Sequence, residues 1–397
     1  MSLFGSRGRH SDKSRSPAKE NGKQKDRKKK SRAMKVAGIV LCCVALLALL
    51  GIIAYSLWSK APAVSQEGLK TQTTPTPELS AATASPDPSA SPDAALTPDP
   101  ESTPAAAVRR PDTYTMLVVG RDRVGMNTDT IMVIRMDCRE KTVNVVSIPR
   151  DTLVNVPWSV KKVNSIYGNL GIEGLVDGVE DLVGFPIDSY AVVNTQIFQQ
   201  VIDCIGGVYF DVPIYMIYDD PDQNLHIWLT PGYQLLNGYQ AEQVVRFRQN
   251  NDGTGYPNGD LGRIETQHAF FAALAKQVLS LGNISNLPAL VDLVVSNTDT
   301  NLTSGNVAFY AQEFLKMDGD SIRFYTVPFD TVYILGGSYV SIQLDPWLDM
   351  INECLNPFEV DVTAGNLDVL TYSDAGFSST TGKIPDLYGF YDYTAIQ

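Results

Sequence analysis

The sequence predicts an α/β (α+β) sandwich, one central mixed β-sheet flanked by helices, preceded by a single transmembrane helix. Three observations carry that expectation. Short β-branched runs bounded by turn or charged residues recur after residue 110. Apolar residues at helical spacing separate them. Ahead of both lies Val36–Tyr55, 20 residues without a charge, behind a strongly basic tail.

Residues 1–35 hold 13 Lys/Arg against three acids, while the whole chain carries a formal charge of −12. Such a tail suits nucleic acid in isolation, but the apolar run behind it explains it as positive-inside charge, so nucleic acid is not an expected partner. The run has the length of a bilayer core, and Leu57 and Trp58 extend it to the interface, giving a span over 36–58. Lys/Arg before it and almost none after it put the N-terminus in the cytoplasm and the rest outside the plasma membrane. A signal peptide cut near Ala61-Pro62-Ala63 is the other reading, and the apolar run exceeds a usual signal core. Residues 59–110 are Pro/Ala/Ser/Thr-rich with scattered acids, too poor in apolar surface to offset their ordering entropy. A disordered extracellular linker is expected there, supplying reach.

The folded domain is expected over 111–357, with residues 358–397 a tail of uncertain structure. Thr115–Val119, Thr130–Arg135 and Thr142–Ile148 read as neighbouring strands. Ile172, Leu175, Val176, Val179, Leu182 and Val183 share a helical face. So do Ile197, Phe198, Val201, Ile202 and Ile205, and later Phe270, Phe271, Leu274, Val278 and Leu279. Tyr190–Val193 and Val208–Val212 read as strands between them. Beyond Ser304 a helix, a strand over Ile322–Val327 and a helix near Pro346–Leu355 complete the domain. Cys138, Cys204 and Cys354 are scattered, which excludes a disulfide framework and a zinc site and favours buried thiols. None of the three histidines sits in a pattern that points to a triad nucleophile.

Charge gathers at strand ends, where ligands bind in such sheets. The first strand leaves through Gly120-Arg121-Asp122-Arg123 and the chain returns through Asn127-Thr128-Asp129-Thr130. Two aspartates flanking this loop are able to hold one hard cation, although Asp and Gly populate most hairpin loops. The third strand ends in Ser147-Ile148-Pro149-Arg150-Asp151, and Lys162 and Asn164 follow. Val244–Gln267 sets Arg246, Arg248 and Arg263 near Asp260 without a lysine. That pattern reads either as structural ion pairs at a helix start or as an anion site, since arginine forks match phosphate oxygens in pairs.

Taken in order, G-x-D with a following T-D-T, then S-I-P-R-D, K-V-N, Gly206-Gly207-Val208, P-G-x-x-L-x-x-G from Pro231 to Gly238, R-F-R and D-L-G-R-x-x-x-Q resemble the LytR-CpsA-Psr family. The similarity runs from about Tyr114 to Lys276 and more weakly to about Leu355. The resemblance implies a phosphotransferase that moves a glycopolymer, teichoic acid or a capsular or wall polysaccharide, from a polyprenyl-pyrophosphate carrier to peptidoglycan. The product is a phosphodiester at a muramic acid hydroxyl. It further implies Mg2+ held by Asp122 and Asp129, and a pyrophosphate site of Arg123, Arg150, Lys162, Arg246, Arg248, Arg263 and Gln267. Asp122, Asp260, Arg150 and Arg263 are the implied catalytic group, with Asp122 or Asp260 the candidate base. Two departures stand out: Arg121 between Gly120 and Asp122, where a small or apolar residue is usual, and Thr266, where a further arginine is common. Phosphoryl transfer needs mainly positioning and charge neutralisation, which such a set supplies. A polyprenyl-pyrophosphate phosphatase would use the same groups, and a regulatory ectodomain that binds lipid precursors is the non-enzymatic alternative.

Overall fold

The computed structural model describes residues 58–72, 107–121, 128–221, 225–279 and 287–384. Val36–Tyr55 lies outside them; among the described residues no helix is long and apolar enough to cross a membrane. Strands β1 (Thr113–Arg121), β2 (Thr128–Asp137) and β3 (Thr142–Ser147) form an antiparallel meander. Helix α1 (Asn164–Val183) returns the chain so that β4 (Ser189–Asn194) lies parallel to β1. Next come α2 (Thr195–Cys204), strands β5 (Val208–Val212), β6 (Met216–Asp220), β7 (Leu225–Leu229) and β8 (Gly232–Leu236), and helices α3 (Gly238–Arg246) and α4 (Asp260–Leu279). Helix α5 (Leu287–Asn297), β9 (Asp299–Thr300), α6 (Ser304–Phe314) and β10 (Ile322–Thr326) lead to the hairpin β11 (Phe329–Ile334) and β12 (Gly337–Ile342). Helix α7 (Leu344–Met350), β13 (Leu370–Ser373) and β14 (Gly376–Ser379) follow. The central mixed sheet has six strands in the order β10-β3-β2-β1-β4-β9.

Strand alternation sorts the two faces. Leu117 and Val119 of β1 join Val146, Leu175 and Val179 of α1 and Trp347 of α7 in one core cluster. Met116 and Val118 point the other way, toward Val143, Tyr310 of α6 and Phe271 of α4. Helices therefore cover both faces, which is why these strands read as nearly unbroken apolar runs. Helix α1 is broken at Gly171, where φ is 73°. That break explains why the apolar period begins at Ile172 although the helix begins at Asn164. Gly184 ends the helix at φ 80°, and a Cβ there would lie 2.8 Å from Val362, so the turn requires glycine.

The expected boundaries shift at both ends of the domain. Residues 59–72, placed in the linker by composition, lie along the domain instead. Lys60 N donates to Gly305 O at 3.0 Å, Lys70 N to Gly184 O at 3.0 Å and Gln72 N to Gly365 O at 3.2 Å. The two large aliphatic residues of this stretch, Val64 and Leu69, pack on opposite core clusters. Residues 358–384 belong to the domain too, because Leu367, Val369 and Leu370 are fully buried and Tyr372 N donates to Ser341 Oγ at 2.9 Å. Cys354 is buried and Cys138 and Cys204 are half-buried, all as free thiols. Burial pushes the Cys138 thiol up to about 12, which keeps it protonated and unreactive.

Candidate functional site

Strands β1, β3, β4 and β10 are parallel to one another, so Arg121, Ser147, Asn194 and Thr326 end at the same edge of the sheet. Strand β2 enters at that edge, with Thr128 opposite Arg121. Asp129 and Arg150 therefore meet across it: Arg150 Nη1 donates to Asp129 Oδ1 at 2.5 Å. The turn after Pro149 is fixed by Thr152, whose hydroxyl donates to Pro149 O at 2.6 Å. A short ladder then aligns 150–153 with 161–164, Val163 N donating to Thr152 O at 2.9 Å and Asn164 N to Arg150 O at 3.2 Å. That ladder carries Lys162 to Asp151, Nζ to Oδ1 2.9 Å, while Arg150 Nε lies 3.8 Å from Asp151 Oδ2. The Lys162 ammonium also sits 4.8 Å from the centre of the Tyr339 ring. A cavity of about 620 Å³ opens beside this network, lined by Arg150, Asp151, Lys162, Trp158, Asn164 and Asn169 among others.

Helix α4 brings a second group. His268 Nε2 and Ser147 Oγ are 3.1 Å apart at the carboxyl end of β3, whereas Lys276 approaches Asp320 near the opposite end of β10. The helix thus runs antiparallel to β3 and β10, with its amino end beyond the edge that carries Arg150. Arg263 lies about 7.5 Å further along the axis than His268 by helical rise. The positive end of the helix dipole points the same way, which favours an anion. Gln267 Nε2 donates to Val245 O at 2.7 Å and so pins the last turn of α3, with Arg246, against α4. Arg246 Nη1 donates to the buried Glu242 at 3.1 Å, and Gln199 Nε2 donates to the other Glu242 oxygen. Arg248 is exposed in the loop that follows.

Asp129, Arg150 and Lys162 form one network, and Arg246, Arg263 and Gln267 come from the adjoining ends of α3 and α4. Asp260 is the first residue of α4; its side chain, like all of Asp122 and Arg123, lies outside what is described. Among the described residues no three Asp, Glu, His or Cys groups converge as a metal set. Arg121 is exposed and donates to Tyr167 Oη at 3.3 Å, a charge at the rim. Thr266 is buried and donates to Gly262 O at 2.8 Å, so it faces the interior rather than the open edge. Sequence reasoning missed Asp151, Glu242, Gln199 and Tyr339 as partners of the cations. The four-residue step from Glu242 to Arg246 was readable as a helical ion pair; Tyr339, nearly two hundred residues from Lys162 in sequence, left no local signal.

His268 couples this edge to stability. Burial holds its pKa below the ordinary value of about 6.5. The fold favours the neutral ring, so the stabilisation is complete above about pH 6.5 and is lost as pH falls through the lowered folded value. Replacing His268 by glutamine is expected to flatten the acid limb of a plot of thermal midpoint against pH. An unchanged acid limb contradicts this role.

The model of the LytR_cpsA_psr family matches residues 80–355. The cell wall biosynthesis protein LcpA of Corynebacterium glutamicum is 31% identical over 271 residues, covering 60% of this chain and 50% of that protein. The polyisoprenyl-teichoic acid–peptidoglycan teichoic acid transferase TagV of Bacillus subtilis is 31% identical over 180 residues, 44% of this chain and 45% of that protein. The chain thus spans about half the length of these curated relatives. The crystal structure of Bacillus subtilis TagV superposes with a TM-score of 0.52 at 23% identity, covering 62% of this chain and 98% of that one, a likeness of fold. With its central mixed sheet, its flanking helices and a family match over well more than half its length, the chain belongs to the LytR_cpsA_psr family.

Proposed function

We propose that this chain is a membrane-anchored extracellular phosphotransferase that moves a glycopolymer from a polyprenyl-pyrophosphate carrier to peptidoglycan. The observation that carries this reading is the set of fixed cations at one sheet edge: Arg150 and Lys162 held by Asp129 and Asp151, with the arginine-bearing ends of α3 and α4 brought to the same edge. The transferase name of TagV supports it. Single-pass anchoring by residues 36–58, with the domain outside the plasma membrane, rests on the charge asymmetry of the sequence.

In this reading the acceptor hydroxyl oxygen attacks the sugar-linked phosphorus. The bond from that phosphorus to the bridging oxygen breaks, polyprenyl phosphate leaves, and the hydroxyl proton passes to a carboxylate, Asp122 or Asp260. Arg123, Arg150, Arg246, Arg248 and Arg263, with Lys162 and Gln267, bind and neutralise the pyrophosphate. The side chain of Asp129, 45% exposed, offers hard oxygen atoms at this edge and, with Asp122, would hold Mg2+. The cation, when bound, adds neutralisation of phosphate charge. Release of polyprenyl phosphate from a lipid-linked glycan is expected to stop on chelation with EDTA and to resume with excess Mg2+. Release that is indifferent to EDTA removes the metal from the account.

A further inference from the structure

We propose that the outer face of the β5–β8 ribbon is a glycan-binding track, seating the pyranose rings of an uncharged N-acetylhexosamine strand. Strand β5 pairs with β8 and β6 with β7 as two separate two-stranded sheets that follow one another along the chain, an interrupted ribbon whose break between Val212↔Gly232 and Met216↔Leu229 leaves three residues on one side and two on the other. The odd-numbered residues from 209 to 219 are all exposed, and the even-numbered ones are buried or half-buried. The inner face, with Phe210, Met216 and Ile227, packs in the core beside Phe247 and Phe270. The outer face carries Tyr209, Tyr215, Ile217, Trp228, Tyr233 and Leu235, with Trp228 76% and Tyr233 73% exposed. These side chains take no part in the core, and such a concentration of exposed aromatic surface marks a binding face.

Geometry and charge select the occupant. The rings of Tyr209 and Tyr233 are near-parallel at 13°, with centroids 5.7 Å apart, and Trp228 stands directly across from Ile217. Flat exposed rings match the apolar C–H face of a pyranose. Asp211 and Asp219 are exposed on the same face and accept hydrogen bonds from hydroxyl or amide donors. Residues 208–236 contain four Asp and no Lys or Arg, and His226 is paired with Asp219. A phosphate-rich polymer and an anionic lipid surface are both repelled by that balance, whereas a neutral sugar chain is not.

The track is tied to the arginine-bearing loop. Ile217 N donates to Asn250 Oδ1 and Asp219 N to Asn251 Oδ1, each at 2.7 Å, while Asn251 Nδ2 returns to Asp219 O at 3.1 Å. Asn250 follows Arg248 by two residues, so the ribbon edge and the phosphate loop are held as one unit. That this face serves the acetylhexosamine backbone of the acceptor rests on the proposed transfer; that it binds an uncharged glycan does not.

The test is titration calorimetry of the full-length protein in detergent micelles. The probes are chitohexaose, an uncharged N-acetylglucosamine strand, with polyglycerol phosphate and inorganic pyrophosphate. The Trp228→Ala/Tyr233→Ala variant, changed only at exposed positions, is expected to bind chitohexaose at least about tenfold more weakly. Pyrophosphate binding should be unaltered, and Trp228→Tyr should retain most of the glycan affinity. Glycan binding equal in wild type and double variant overturns the track. So does a double variant that loses only polyglycerol phosphate binding, self-association, or docking onto phospholipid bicelles. Transfer activity absent while track-dependent glycan binding persists rejects the proposed function and leaves the track standing.

Discussion

Replacement of Arg150 by alanine is expected to slow transfer by about 100- to 1000-fold, the range observed when one pre-set donor is removed from a charge-stabilising site. Arg150 is the hinge of the edge network: it bridges Asp129 at 2.5 Å and lies 3.8 Å from Asp151, which in turn holds Lys162. Its side chain is 30% exposed and lies outside the core clusters, so stability should stay within about 0.5 kcal/mol of wild type. Arg150→Lys keeps the charge but loses the fork, and is expected to recover only part of the rate. Asp129→Asn in combination with Arg150→Ala should cost less than the two single losses together, because the residues act as a pair. Steady-state rates with a lipid-linked donor check all three variants. Near-wild-type turnover in Arg150→Ala contradicts the assignment of this edge.

Asp188→Ala is expected to destabilise the domain by about 3–5 kcal/mol, the cost of leaving a buried charge without its partner. The Asp188 side chain is fully buried and pairs with Arg109, itself only 13% exposed. It also accepts from Thr115 N at 2.8 Å, Thr115 Oγ1 at 2.9 Å and Ser65 N at 2.9 Å. One carboxylate thus joins the stretch 59–72, the entry to β1 and the start of β4. Urea unfolding reads the loss as a lower midpoint. Arg109→Met in the Asp188→Ala background should recover part of it, since the stranded charge is removed. A loss below about 1 kcal/mol would show that the pair is screened by water rather than buried.

The central strands were legible because burial on both faces makes them unbroken β-branched runs, and Thr142–Ile148 anticipates β3 to within one residue. The ribbon was harder. Only β5 of its four strands was expected, because Pro213 and Pro231 interrupt the alternation at the break and a two-stranded pair carries a weak signal. The segments 59–72, expected in the linker, and 358–384, of uncertain structure in the sequence, carry little signal for a different reason: each is polar in composition, and each is ordered by a few apolar residues, Val64 and Leu69 in one, Leu367, Val369 and Leu370 in the other. Composition averages over a window and cannot see two or three well-placed contacts. Within the site, the meeting of Asp129 and Arg150 followed from strand order. The partners Asp151 and Tyr339 depend on where the β11–β12 hairpin folds back, which no local pattern encodes.

Transfer of a phosphorylated glycan to a sugar hydroxyl rather than to water is the proposed work of the site these cations line. It is tested most directly by incubating the full-length protein with lipid-linked glycopolymer, peptidoglycan strands and Mg2+, then digesting the strands and weighing the fragments by mass spectrometry. The expected result is a muramic acid fragment carrying the polymer through a phosphodiester, abundant with wild type and largely lost with Arg150→Ala. Free phosphorylated polymer with no adduct would make the protein a pyrophosphatase, and neither product, with Arg246→Ala and wild type indistinguishable in cells, would contradict the enzyme altogether.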